Sequence, residues 1–469
     1  MMSHYNKNYL LICGIIISLM MPFKDLLAHQ QKTSGIPFHV AAYDTAAYEF
    51  SVDSLLQWQA KDTLPGERYI GFKEFLAAVA AHNLDYAVQK YNISIAQAEI
   101  TVAKLYPDPS LSAGWTKDIS NVPANQKFGD VWNVGASETI LLGNKINARR
   151  NVAEQNENVS AAQTEDFFRS LRAAAAQAYI AALIADSTYK ADVRTYQNLA
   201  ELVRINERRV EAGDLGKIDL VQSRVDAIQA RGVVLQADAA RRQAFIFLEQ
   251  LMGESSSSII YRPIGNISFP SESFNLDSLI EHAKTTRPDV IAARYAVKSA
   301  RLSLNLANAE RVPDVTVGAG YSYTGTSTNQ VAPFPGEKSL NLNVSIPLPI
   351  SDIFNKGTLQ VAELSYEQAQ KTLAVTELKA ETDVRSAYVQ YQLAKQQFLQ
   401  YSRDLLTDAK NVRNARLYSF VAGNASLLDV LTAENTLASV YLAYYGAVSN
   451  YINSLIILEE ASGVWDIEL

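Results

Sequence analysis

Two aspartates, Asp219 and Asp429, each stand six residues beyond a glycine, Gly213 and Gly423. Each glycine ends a long stretch that has no helix breaker. The spacing predicts one local structure written twice: a helix stopped by a left-handed glycine, a short turn, and a return helix with an acid near its start. An aspartate there stabilises the helix dipole by a few tenths to about 1 kcal/mol, which is one reading of the pair. The other reading is electrostatic. If several copies surround a mouth, the two positions give it a collar of carboxylates that favours cations and repels anions. Arg204, Arg208 and Arg209 lie just before the first glycine. They either pair with acids on neighbouring helices and hold such a mouth shut, or remain solvated surface charge. Opposite Arg208 and Arg209 the second copy has Tyr418 and Ser419, so the two copies differ at this point.

Other chemistry has little support. The five histidines, His4, His29, His39, His82 and His282, are scattered without metal-ligand spacing. No nucleophile elbow, phosphate loop or dinucleotide fingerprint is present. The sequence therefore predicts no enzyme, no cofactor and no metal site. A net charge of −7 without a basic block argues against nucleic acid as a partner. Leu10 to Met21 is an apolar run behind Lys7, too short to span a bilayer, and Leu26-Leu27-Ala28 offers a small residue for cleavage. Residues 1–28 read as a secretory signal peptide. Cys13, the single cysteine, falls inside it, so disulfides and thiolate metal sites are not expected in the mature chain. No later segment offers 18 consecutive apolar residues, and no transmembrane helix is expected.

The elements that must position the two acids are unusually long. Asn144 to Ala212 and Thr358 to Ala422 contain neither glycine nor proline over 69 and 65 residues. Each is long enough for a single helix of about 100 Å, where a globular helix averages about 12 residues. The duplication extends beyond these runs. Pro107-Asp108 recurs as Pro313-Asp314, Val152-Ala153-Glu154 as Val361-Ala362-Glu363, and Gly253 as Gly463. Each half reads as a first helix (Phe72 to Tyr106, Leu276 to Val312), two strands, the long run, and a return helix. The resulting division is a 29–66 extension, a first repeat over 67–253, a Ser/Pro/Gly-rich linker over 254–273, a second repeat over 274–463 and a 464–469 tail. The aromatics of the extension suggest that it lies against the outside of the helical rod.

The strands alternate with period two. Leu340, Leu342 and Val344 interleave with Asn341 and Asn343, and Val315, Val317, Ala319, Tyr321 and Tyr323 with small or polar residues. Leu111, Ala113 and Trp115, and Trp132, Val134 and Ala136, form similar faces. Such a face fits a half-buried sheet. Three features favour a transmembrane barrel: strands of about ten residues, the interface aromatics Trp115, Trp132, Tyr321 and Tyr323 at strand ends, and long polar links between paired strands. Four strands cannot close a barrel, since a small one needs about eight, and open edges are not tolerated in lipid. Several copies must share one; three would give twelve strands, although two or four would also close.

Together these features resemble the TolC family of outer-membrane efflux channels. The residues that carry the resemblance are the duplicated Pro-Asp, Ser345-Ile346-Pro347-Leu348-Pro349 after the last strand, and Gly423 with Leu427-Leu428-Asp429-Val430-Leu431. Ile346 to Ile350 with Asn355-Lys356-Gly357, and Tyr106 to Leu111, look most like the outer-membrane members of cobalt–zinc–cadmium-type efflux systems. The resemblance implies a mainly α protein with a transmembrane β-barrel: a homotrimer with a 12-stranded barrel in outer-membrane lipid, continued by a periplasmic α-helical tunnel. It also implies a periplasmic adaptor and an inner-membrane pump at the far tip. Members often carry a second acid where this chain has Thr432, so a double acidic constriction is not implied here. Two other readings stay open: a periplasmic coiled-coil adaptor or scaffold without a pore, which predicts one hairpin and a soluble β-domain, and an exit channel for secreted protein.

Overall fold

The structure, a computed structural model, describes residues 66–465 apart from 120–122, 124–126, 128, 255–258, 266–273, 328–329, 331–332, 349–355 and 402. The 1–28 leader, almost all of the 29–66 extension and most of the 464–469 tail lie outside the described residues.

The first repeat runs β1 (Glu67–Gly71), α1 (Phe72–His82), α2 (Leu84–Ala103), β2 (Ser110–Thr116), β3 (Val131–Ile140), α3 (Lys145–Glu211) and α4 (Lys217–Leu251). Strand β4 (Ile260–Ile264) follows, inside the stretch read as a linker, and pairs in parallel with β1. The second repeat runs α5 (Leu276–Thr286), α6 (Pro288–Glu310), β5 (Val315–Thr324), β6 (Glu337–Ser345), α7 (Gly357–Gln400), α8 (Arg403–Val421) and α9 (Leu427–Ser462). Helix α3 is continuous over 67 residues, as its composition demands.

Three expected helices are broken. The first helix of each repeat is two, divided at Asn83 and at Arg287. Asn83 leaves helical geometry so that its Oδ1 caps α2, accepting from the Tyr86 N–H at 2.9 Å. Arg287 precedes Pro288, whose ring disfavours helical backbone in the residue before it. Both breaks are tied to the end of a return helix. Asn83 Nδ2 donates to the Leu251 carbonyl at 2.9 Å, and Arg287 Nη1 to the Ala461 carbonyl at 3.1 Å. The second long run divides between α7 and α8 at Tyr401, which adopts φ −90° and ψ 51°. No breaker marks the place; Ser402 followed by Asp404 is only weak helix-start chemistry.

Packing arranges these helices as a wall of columns. Helix α3 lies against α2 and α4 on one flank and against α6 and α9 on the other; α7 and α8 close the far side. The core gathers at mid-height, where Phe72, Phe75 and Val79 of α1, Tyr179 and Ile180 of α3, Phe245 and Leu248 of α4, and Tyr451 and Ile456 of α9 are buried together. The Tyr179 hydroxyl lies 2.9 Å from the Ile70 carbonyl and 2.6 Å from that of Ile264, so it fastens the β1–β4 pair to α3. Burial pushes this phenol up to about 12. Beside it Asp186 accepts from Arg262 at 2.8 Å and lies 3.5 Å from the fully buried Arg241, whose guanidinium stacks 3.8 Å from the Tyr189 ring.

The second sheet has the order β2-β3-β5-β6, antiparallel throughout, with β2 and β6 at its edges. The register stacks like with like. Trp115, Trp132, Tyr323 and Lys338 form one row; Ala113, Val134, Tyr321 and Leu340 the next; Leu111, Ala136, Ala319 and Leu342 the third. The opposite face carries Ser112, Asn133, Ser322, Asn341 and Asn343. The alternation read from the sequence is thus one polar face and one face that is apolar apart from Lys338 and Glu138, although β6 stops at Ser345, short of Ile346 and Leu348.

Candidate functional site

The tips are built from the chain turning twice in the same way. Gly213 and Gly423 both sit at φ +80° with open space around them. The turns close by the same long-range bond, Asp214 N–H to the Arg209 carbonyl and Asn424 N–H to the Ser419 carbonyl, each 2.8 Å. This is the left-handed stop that the Ala-Gly pairs predict.

The two acids then differ. Asp429 is three residues into a box with Ser426: the Ser426 N–H and hydroxyl donate to its Oδ2 at 3.0 and 2.7 Å, and the Asp429 N–H donates to Ser426 Oγ at 3.2 Å. These Ser426 bonds hold the carboxyl below the ordinary aspartate value, with a smaller pull from Arg416. Asp219 follows Gly216, which has no side chain to complete such a box. Both acids are half-buried, and Thr432 is exposed.

The arginines also separate. Arg204 and Arg208 lie 3.5 and 3.6 Å from Glu201 on their own helix. Arg209 crosses to the other tip, donating to the Phe420 carbonyl at 2.9 Å with its guanidinium 4.6 Å from that ring. Ile205, Arg208, Asp214, Val421 and Gly423 line the groove around this crossing. Sequence reasoning missed Phe420, which gives no signal without tertiary contact, and Ser426, whose Ser-x-x-Asp spacing was readable. It also missed a buried link above the tips, where Glu434 of α9 takes Arg413 of α8 and Asn198 of α3.

At the other end, Trp115 and Trp132 are directly opposed and stacked, 5.5 Å between ring centres, and Trp115 Nε1 donates to Asp130 at 3.3 Å. Both rings are 54% exposed, as is most of the apolar face, Leu342 at 79%. Among the described residues no helix is long and apolar enough to cross a membrane, and no group of His, Cys, Asp and Glu is placed to hold a metal ion.

The chain matches the family model described as outer membrane efflux protein over residues 76–254 and 279–464. It is 23% identical to the cobalt-zinc-cadmium resistance protein CzcC of Cupriavidus metallidurans over 374 residues, 80% of this chain and 85% of that one. Among solved structures it resembles the outer-membrane channel OprN, with TM-score 0.68 and 16% identity over 84% of this chain and 90% of that one. It also resembles CusC, with TM-score 0.65 and 17% identity over 87% and 98%. The family model matches the chain in two separate segments, and the fold is shared with solved outer-membrane channels: the chain belongs to the outer membrane efflux protein family, and it is an outer-membrane channel protein, not an enzyme.

Proposed function

We propose that three copies of this chain form the exit duct of a tripartite efflux pump: a 12-stranded barrel in the outer membrane, continued by a helical tunnel across the periplasm. The adaptor and inner-membrane pump dock at the Gly213 and Gly423 tips, and solute passes without chemistry because the pump supplies the energy. The observation that carries this reading is that both flanks of the wall are unfinished on matching sides. Helices α2 and α4 expose Leu84, Val88, Tyr91, Ile95, Ile218, Val221, Val225 and Ile228 at heptad spacing, and β2, which follows α2, is an unpaired edge. On the opposite flank α7 exposes Val361, Leu364, Val375, Leu378 and Val389, and β6, which precedes α7, is the other edge. A head-to-tail contact joins one flank to the other and closes a ring, satisfying seams and strand edges together. Two helical hairpins and two strand pairs also fit a pore better than an adaptor, for which one hairpin suffices.

The solute class we propose is heavy-metal cations, on the likeness to CzcC, with Asp219 and Asp429 as the cation-favouring collar. The test is direct. Purified protein should run as a heat-modifiable trimer and add conductance to a planar bilayer, and Leu378→Asp or Ile95→Asp should release monomers. A wild-type monomer without conductance rejects the duct. A deletion strain that becomes sensitive to cobalt, zinc or cadmium supports the cation assignment; sensitivity confined to dyes and antibiotics overturns it.

A further inference from the structure

The apolar sheet face carries an acid. Trp132, Val134, Ala136, Glu138 and Ile140 of β3 point to one side, and Glu138 is exposed there opposite Val317 of β5, with Val344 of β6 one strand further. The row above it is wholly apolar: Leu111, Ala136, Ala319 and Leu342. Below it Ile140 of β3 lies opposite Val315 of β5, so the next row is apolar again. The acid is therefore set inside the band and does not mark its end. Six residues separate it from Trp132 in the aromatic row, about 20 Å along a strand. At a tilt of about 40° that is about 15 Å down the barrel, within an apolar band about 25 Å tall.

A carboxylate facing lipid at that depth needs a counter-charge or must give up its own. Among the described residues no hydrogen bond or ion pair involves Glu138, and Lys338 stands in the aromatic row at the opposite end of the face. We propose that Glu138 binds the primary ammonium of a phospholipid headgroup from the inner leaflet, drawing that leaflet up around the barrel; this rests on the barrel reading above. Three N–H donors on a primary ammonium suit a carboxylate, whereas a quaternary ammonium offers none. Lys338 gives the other end of the same face the opposite sign, matched to the phosphates of the outer surface.

The experiment uses the full-length protein in mild detergent, offered equal phosphatidylethanolamine, phosphatidylcholine and phosphatidylglycerol, with retained lipid counted by native mass spectrometry. Wild type should retain phosphatidylethanolamine roughly tenfold over phosphatidylcholine, the scale of one charge-assisted hydrogen bond. Glu138→Gln should bring the two to parity. Glu138→Leu should also lose the preference, yet melt higher than wild type in phosphatidylcholine liposomes. Equal retention by wild type, or a preference unchanged in Glu138→Gln, overturns the proposal. So does a preference for phosphatidylglycerol that EDTA abolishes, which assigns the contact to a divalent cation bridging phosphate. Wild-type protein that fails to float with any liposome rejects the barrel itself, an outcome separable from loss of lipid preference alone.

Discussion

In the proposed duct Asp429 would have two tasks, which can be separated one side chain at a time. Its Oδ2 completes the box with Ser426, while its charge is available to a mouth. Ser426→Ala should speed hydrogen exchange in the first turn of α9 and leave cation selectivity in place; Asp429→Ala should raise conductance or shift selectivity in planar bilayers. No change in either quantity for Asp429→Ala removes it from the gate. Because the folded carboxyl titrates below its unfolded value, the box stabilises the tip above about pH 4 and fails as the pH drops through the lower folded value. Asp192 of α3 has the opposite sign. Burial raises it to about 6, so the folded chain is penalised wherever the group is charged, fully above that value and not at all below about pH 4. Asp192→Asn should raise the Tm at pH 7.5, with the gain vanishing near pH 4 in melts followed by circular dichroism.

At the scale of elements, sequence pattern and tertiary demand divide the outcome. The continuous α3, the glycine stops and the two-faced strands were legible because each depends on local rules: absence of breakers, left-handed backbone, period two. The breaks at Asn83 and Arg287 were only half legible, since Pro288 and an asparagine are cues but the tie to a return-helix carbonyl is not. The Tyr401 break and the β1–β4 pair were not legible, because partners nearly two hundred residues apart define the sheet and nothing local defines the break. The place of Asp219 and Asp429 in the first turns of the return helices was legible from spacing; Arg209 on Phe420 was not, since it needs the two hairpins side by side. Three substitutions test the turns and buried ties by stability. Gly213→Ala should cost about 1–2 kcal/mol, the penalty of left-handed backbone alone. Gly253→Ala should cost more, because its Cβ would also lie 2.2 Å from the His82 carbonyl oxygen. Thermal melts of the pair give the comparison. Asp186→Ala takes one acidic partner from two buried guanidinium groups and leaves Arg241 on Asp238 and Arg262 on Glu67; a loss of about 3 kcal/mol, the low end for a broken buried ion pair, is expected in the same assay.

For the whole molecule, the long hairpins hold the tips about 100 Å from the far end of α3, and the charged tips and apolar sheet face never share surroundings. In the proposed ring of three, each copy carries two different flanks and is needed twice, once on each side. The genetic consequence is dominance. A chain with one ruined flank still occupies a place in a ring but cannot complete it. In a cell making equal amounts of sound and damaged chain, about one eighth of triplets contain only sound copies. A single defective allele should then behave as a poison and not as a mere loss.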